Sequence, residues 1–239
     1  MLKKNNFFKN NFTNSSTFIK NILKTKKAFD FLKKDLKNFN IPLMQSYEKD
    51  YQFAFSKSTT QKYNKYKNII IIGMGGSILG TKAIYDFLSK KIKKNIFFFD
   101  NLDLDLNSKY KNIKNINNSC FIVVSKSGNT TETIANLSSV FSKALLKNKL
   151  IVITEIKNNT LMTFANEYNA EIIEHKEFIG GRYSVLSESS MFPASLMGLD
   201  LIKFKNLKGL IKDKDFTKSL IQNVASIYTL IQKGVKNSI

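Results

Sequence analysis

Two periods of apolar residues run along this 239-residue chain, and one gives way to the other near residue 68. Between Phe18 and Phe39 the apolar positions are Phe18, Ile22, Phe29, Leu32, Leu36 and Phe39. Residues three, four and seven apart share one face of a helix, so this stretch predicts an amphipathic helix or a broken pair, ended by Pro42. Residues 1–16 are rich in Asn and Lys without an apolar period, and are expected to be loosely ordered. Residues 44–67 read as a polar and aromatic connection with room for a short helix.

Beyond residue 68 short apolar runs take over, at 69–72, 96–99, 121–124 and 150–153, with a weaker pair at Ile172 and Ile173. They are β-branched or aromatic and do not alternate with polar residues, as strands buried on both faces require. Helix-like stretches at 77–90, 130–146 and 160–168 separate them, and 184–197 and 216–232 read as further helices. Strand and helix in alternation predict βαβ units: an α/β fold with a doubly wound parallel sheet of roughly five strands flanked by helices, preceded by an N-terminal helical extension. The expected division is a helical extension at 1–67, the sheet domain at 68–215 and a helix leading onward at 216–239.

Composition narrows the chemistry. One cysteine, Cys120, excludes an intrachain disulfide, and one histidine with scattered carboxylates argues against a zinc centre. No apolar run approaches the ~18 residues of a membrane span, and the basic N-terminus lacks a secretory apolar segment, so a cytoplasmic location is expected. The net charge of +20 comes almost wholly from Lys spread among Asn and Ile. Nucleic-acid surfaces cluster Lys with Arg and stacking aromatics, so no specific nucleic-acid partner is expected, only a general attraction for anions. Of the 38 basic residues one is an arginine, Arg182, in Gly180-Gly-Arg-Tyr-Ser-Val-Leu-Ser187. A guanidinium is always charged, planar and able to donate two parallel hydrogen bonds, and glycines beside it let backbone approach a small ligand. Either Arg182 meets an anion or an oxyanion, or it is an accident of a Lys-rich composition.

Two further loops bear on that choice. The first strand runs into Gly73-Met-Gly-Gly-Ser-Ile-Leu-Gly80, a glycine-rich turn opening a helix, with Ser77 as its polar group. Such turns bind anions in open parallel sheets, although tight packing alone can also demand them, and the spacing is neither the dinucleotide nor the P-loop pattern. The third strand runs into Ser125-Lys-Ser-Gly-Asn-Thr-Thr-Glu-Thr133, where the hydroxyls of Ser125, Ser127 and Thr130 cluster at a helix start. Neutral donors and helix amides suit a phosphate dianion; capping by Thr130, with Glu132 in the first turn, is the plainer use of the same residues. All three loops follow strands that point the same way, where open α/β sheets bind their ligands.

These three motifs, in this order, resemble the glucose-6-phosphate isomerase family; the first two resemble the sugar isomerase fold in general. The resemblance runs from about residue 20 to the end and covers the N-terminal half of a family member. It implies that Ser125, Lys126, Ser127 and Thr130 hold the substrate phosphate, that Gly76 and Ser77 contact the sugar or phosphate, that Gly181 also binds substrate, and that Arg182 stabilises the oxyanion of a cis-enediolate. Glu132 would orient a catalytic histidine. The implied reaction interconverts glucose 6-phosphate and fructose 6-phosphate, without metal or organic cofactor, in a family of homodimers. The family's carboxylate base, ring-opening histidine and catalytic lysine lie in a second domain or tail. The chain ends at Ile239 before that region, so it is expected to bind sugar phosphate and turn it over poorly. A stand-alone sugar-phosphate-binding module with a regulatory role and one subunit of a split isomerase are the other readings. His175, in Glu-His-Lys-Glu, is expected at the surface, and Glu188-Ser-Ser190 departs from the family pattern.

Overall fold

The structure, a computed structural model, describes residues 15–38, 41–103, 105–140, 143–205 and 207–235. The chain divides into two compact units, residues 1–48 with 206–239 and residues 49–205. The boundaries thus fall at 48/49 and 205/206, where the sequence pattern placed them at 67/68 and 215/216. The helical run opens as α1 (Ser16–Asn38), and a 3-10 helix, Pro42–Tyr47, begins on the proline. In the sheet unit the order is α2 (Lys57–Asn64), β1 (Asn68–Gly73), α3 (Gly76–Leu88), β2 (Asn95–Phe99), α4 (Leu106–Lys111), β3 (Ser119–Val124), α5 (Thr131–Val140), α6 (Lys143–Leu146), β4 (Leu150–Thr154), α7 (Thr160–Glu167), β5 (Glu171–Glu174) and α8 (Glu188–Leu196). Two more helices, α9 (Leu207–Lys212) and α10 (Lys214–Gln232), complete the helical unit. Of the stretch 1–16 expected to be loose, 1–14 lie outside the described residues and Ser16 is already helical.

Among the described residues the five strands form one all-parallel sheet in the order β2-β1-β3-β4-β5. Each central strand is buried on both faces, and alternate residues serve opposite layers. Ile69, Ile71, Cys120, Ile122, Ile151 and Ile153 pack with Tyr63 of α2, Ile78 of α3 and Phe192 of α8. Ile70, Ile72, Phe121, Val123 and Val152 pack with Leu137 of α5 and Leu161 and Ala165 of α7. Full burial of each Ile or Phe is worth about 1.5–3 kcal/mol, which is why unalternated apolar runs become the middle of the sheet.

The chain order reverses between β1 and β3. In this doubly wound order that is the switch point, where the connections leave β1 and β3 in opposite directions and open a crevice at their C-terminal ends. The register sets Gly73 of β1 against Val124 of β3, so the glycine loop and the hydroxyl loop start side by side. In the helical unit, α1 packs on α10. There the buried Asn21 amide donates to Thr229 Oγ1 at 2.9 Å and to Gln232 Oε1 at 2.8 Å.

Candidate functional site at the sheet switch point

The glycine loop meets the Arg182 turn backbone to backbone. A Cβ on Gly76 would sit 2.4 Å from the Gly181 carbonyl oxygen and 2.9 Å from Arg182 N, so only glycine permits this approach. Gly181–Leu186 is a 3-10 helix rather than the start of one long helix from residue 184. Ser184 Oγ donates to Gly181 O at 2.8 Å and to Gly76 O at 3.4 Å, tying the turn to the loop. The Ser184 carbonyl in turn accepts from Ser187 N and from the hydroxyls of Ser187 and Ser189, all at 2.8–2.9 Å. Arg182 is exposed on this anchored turn, while Ser184 beneath it is buried. Ser77 and Gly181 are partly exposed beside it.

The helix after the turn, α8, is buried all round from Glu188 to Ala194. Pro193 has no N–H for the Ser189 carbonyl four residues earlier, and Thr81 Oγ1 of α3 donates to that carbonyl at 3.3 Å. Thr81 also donates to Ser190 Oγ at 3.1 Å. Ser189 and Ser190, the departure noted in the sequence, therefore join the turn, α8 and α3.

In the hydroxyl loop, Ser125 is buried and its Oγ lies 2.8 Å from Thr130 Oγ1. Ser125 Oγ also accepts from Gly128 N at 3.2 Å. Either hydroxyl can donate in this pair; when Ser125 does, the Thr130 proton is free to point outward from the start of α5. Thr130 O accepts from Ile134 N at 3.1 Å, so the residue stands at the helix entry. Ser127 is exposed and its Oγ accepts from Asn129 N at 3.3 Å. Gly128 has φ +70°, and a Cβ there would lie 2.0 Å from Asn159 Oδ1, which is fixed by capping α7 through Met162 N. Glu132 lies in the first turn of α5 and is half-buried.

Lys126 is partly exposed but is not a free cation reaching out of the loop. Its ammonium donates to Glu177 O at 2.7 Å and stands 3.4 Å from Glu155. Glu155 is buried and also pairs with Lys157. Burial pushes its carboxyl up, but Lys157 and Lys126 outweigh that and hold it below the usual carboxylate range. The expectation of a surface His175 is corrected. His175 is buried at the end of β5, its backbone N–H donating to Thr154 O at 2.7 Å and its Nδ1 lying 3.2 Å from Lys176 O. Burial pulls its pKa down, against the opposing pull of the hydrogen bond to Lys176 O and, less strongly, of Glu155. The signal was the strand alternation: Ile173 buried, Glu174 exposed, His175 buried.

Gly76, Ser77, Ser125, Ser127, Thr130, Gly181 and Arg182 thus belong to loops at the C-terminal edge of one parallel sheet, and the glycine loop and the Arg turn touch. Among the described residues no three His, Cys, Asp or Glu groups stand together as a metal site, and no helix is long and apolar enough to cross a membrane. A five-stranded doubly wound sheet with anion-type loops at its switch point defines the class, a domain of the sugar isomerase type. The chain belongs to the phosphoglucose isomerase family, whose model matches residues 40–237. It is 33% identical to the glucose-6-phosphate isomerase of Borreliella afzelii (87% of this chain, 43% of that protein). It is 32% identical to that of Methanocaldococcus jannaschii (65% of this chain, 40% of that protein). The chain therefore spans about two fifths of the length of these relatives. A hypothetical protein of Thermus thermophilus shares the fold at TM-score 0.60 and 18% identity, over 92% of this chain and 49% of that one. A glucose-6-phosphate isomerase of Chlamydia trachomatis shares it at 0.58 and 22%, over 72% of this chain and 36% of that one.

Proposed function

We propose that this chain carries the phosphate-binding and oxyanion-stabilising part of an aldose–ketose isomerase site for glucose 6-phosphate and fructose 6-phosphate. The observation that carries the proposal is the backbone contact between the glycine loop and the Arg182 turn, beside the hydroxyl loop at the switch point. Ser127 and Thr130 donate to the phosphate, with Ser125 ordering Thr130 from below. Lys126, held by Glu155 and Glu177, contributes charge close to the loop rather than a freely moving ligand. Gly76, Ser77 and Gly181 face the sugar. Arg182, an exposed guanidinium carried on a braced turn, stabilises the enediolate oxygen; removal of such a donor typically costs about 10²–10³ in rate. Glu132 is a positioning carboxylate at the start of α5.

Moving the proton between C1 and C2 also needs a base. By resemblance that carboxylate belongs to the part of the family outside this span, so on this reading the chain alone binds sugar phosphate and isomerises it poorly. Calorimetric titration with fructose 6-phosphate and with fructose tests the proposal. Binding that requires the phosphate is expected, weakened about tenfold by Thr130→Ala through loss of one hydrogen bond to a charged group. Equal affinity for fructose and its phosphate, or no response to Thr130→Ala, would count against it. Full isomerase turnover by the purified chain would remove the second half of the reading.

A further inference from the structure

Behind the Arg182 turn lies a second set of charged groups that the crevice does not use. Glu188, the first residue of α8, is fully buried. Its carboxylate accepts from the Tyr51 hydroxyl, 2.9 and 3.1 Å to the two oxygens, and from Ala54 N at 3.1 Å. Lys205 is buried too, with its ammonium 4.7 Å from the ring centroids of both Tyr51 and Phe53. It donates to Leu186 O, the last carbonyl of the 3-10 helix that carries Arg182. Burial pushes Lys205 down to about 8, with the Glu188 charge acting in the opposite direction.

Burying a carboxylate and an ammonium costs several kcal/mol each, and apolar side chains of the same volume would often stabilise a layer like this as well. A glutamate at a helix start suits the helix dipole, but an exposed one would do so without the cost of burial. What charges and hydrogen bonds add here is direction. Lys205 fixes Leu186 and Glu188 fixes the segment at 51–54, so both neighbours of Ser187, the joint between the Arg182 turn and α8, are pinned. Ser189 and Ser190 pin the same joint to Ser184 and to α3.

We infer that Glu188, Tyr51 and Lys205 are positioning residues that set the Arg182 turn against the glycine loop, and with it the aim of the guanidinium at an enediolate oxygen. This rests on the oxyanion role proposed for Arg182. The full 239-residue chain, labelled with isotopic arginine, yields one backbone amide resonance, because Arg182 is its one arginine. Wild type, Glu188→Gln and Tyr51→Phe are each titrated with inorganic phosphate and with arabinonate 5-phosphate, whose carboxylate stands in for the enediolate. In both variants phosphate affinity should stay within about twofold, while affinity for the carboxylate analogue falls about tenfold, the size of one misaimed charged contact. The Arg182 amide should shift or broaden before any ligand is added. Equal losses for both probes would mean a general structural role and overturn the inference. So would unchanged analogue affinity with an unmoved amide. If Glu188→Gln does not fold, Tyr51→Phe, which removes one hydroxyl and keeps the ring under Lys205, decides on the same readings. Arg182→Ala separates the two levels. Undiminished analogue binding there overturns the oxyanion role, and with it the aim, while a moved amide in Tyr51→Phe still supports the positioning of the turn.

Discussion

A single methyl group at residue 76 should part the two loops that make this site. Its nearest neighbours would be backbone atoms of Gly181 and Arg182, which cannot swing away as a side chain end can. Gly76→Ala is therefore expected to cost about 1–3 kcal/mol of stability, as overpacking does, and to abolish fructose 6-phosphate binding. Gly181→Ala, where a Cβ meets nothing within 4 Å, should melt close to wild type. Thermal unfolding of the pair decides; equal melting temperatures would refute the contact. His175 gives a pH prediction. Its folded pKa lies below its ordinary 6.5 because burial disfavours the imidazolium, so the unfolded chain binds the proton more readily. The stability it contributes is complete above pH 6.5 and is lost as pH falls from there through the folded value. Urea midpoints measured at pH 7.5 and 5.5 should fall further for wild type than for His175→Gln; parallel falls would exclude His175 as the cause. Residue types were readable here and their surroundings were not. Arg182 and the hydroxyls declared themselves by motif, whereas the charged neighbours of His175 suggested solvent. The sheet edge buried it instead.

Among the elements, strands were the most legible, because burial on both faces leaves short unbroken runs of β-branched and aromatic residues at regular intervals. α4 was missed: Leu106 and Tyr110 are its two apolar anchors, one turn apart, too few to establish a period. The long helix expected from residue 184 is instead a 3-10 turn and α8, parted at Ser187, where local bonds to Ser184 O are joined by bonds from residues far apart in sequence that no local pattern contains. α7 offers the test at this scale. Asn159 caps it through Met162 N and also donates to the carbonyls of Glu155 and Lys157 at 3.2 and 3.1 Å. It also packs against Gly128 of the hydroxyl loop. Asn159→Ala should cost about 1–2 kcal/mol from the cap, and should weaken phosphate binding because Gly128 loses its wall. Asn159→Asp keeps the capping oxygen and should recover part of the stability. If Asn159→Ala lowers stability and leaves phosphate affinity untouched, α7 does not support the hydroxyl loop.

For the whole molecule the governing quantity is charge. Thirty-eight basic against eighteen acidic residues give +20, a field that draws any anion and falls off over a Debye length of about 10 Å at 0.1 M salt. A general field of this kind imitates a binding site in low-salt measurements. Arg182→Lys separates the two effects, since it leaves the net charge at +20 and removes only the planar, two-pronged donor. Binding of arabinonate 5-phosphate should weaken with rising sodium chloride by the same slope in wild type and variant, because the lysines set that slope. The variant's curve should lie about tenfold weaker at every salt concentration, the effect of a geometry that Lys cannot reproduce. Curves that coincide would mean that Arg182 acts only as one more positive charge. Curves that converge at high salt would mean that its contribution is long-range field. Parallel displaced curves are the outcome required of a guanidinium aimed at one oxygen.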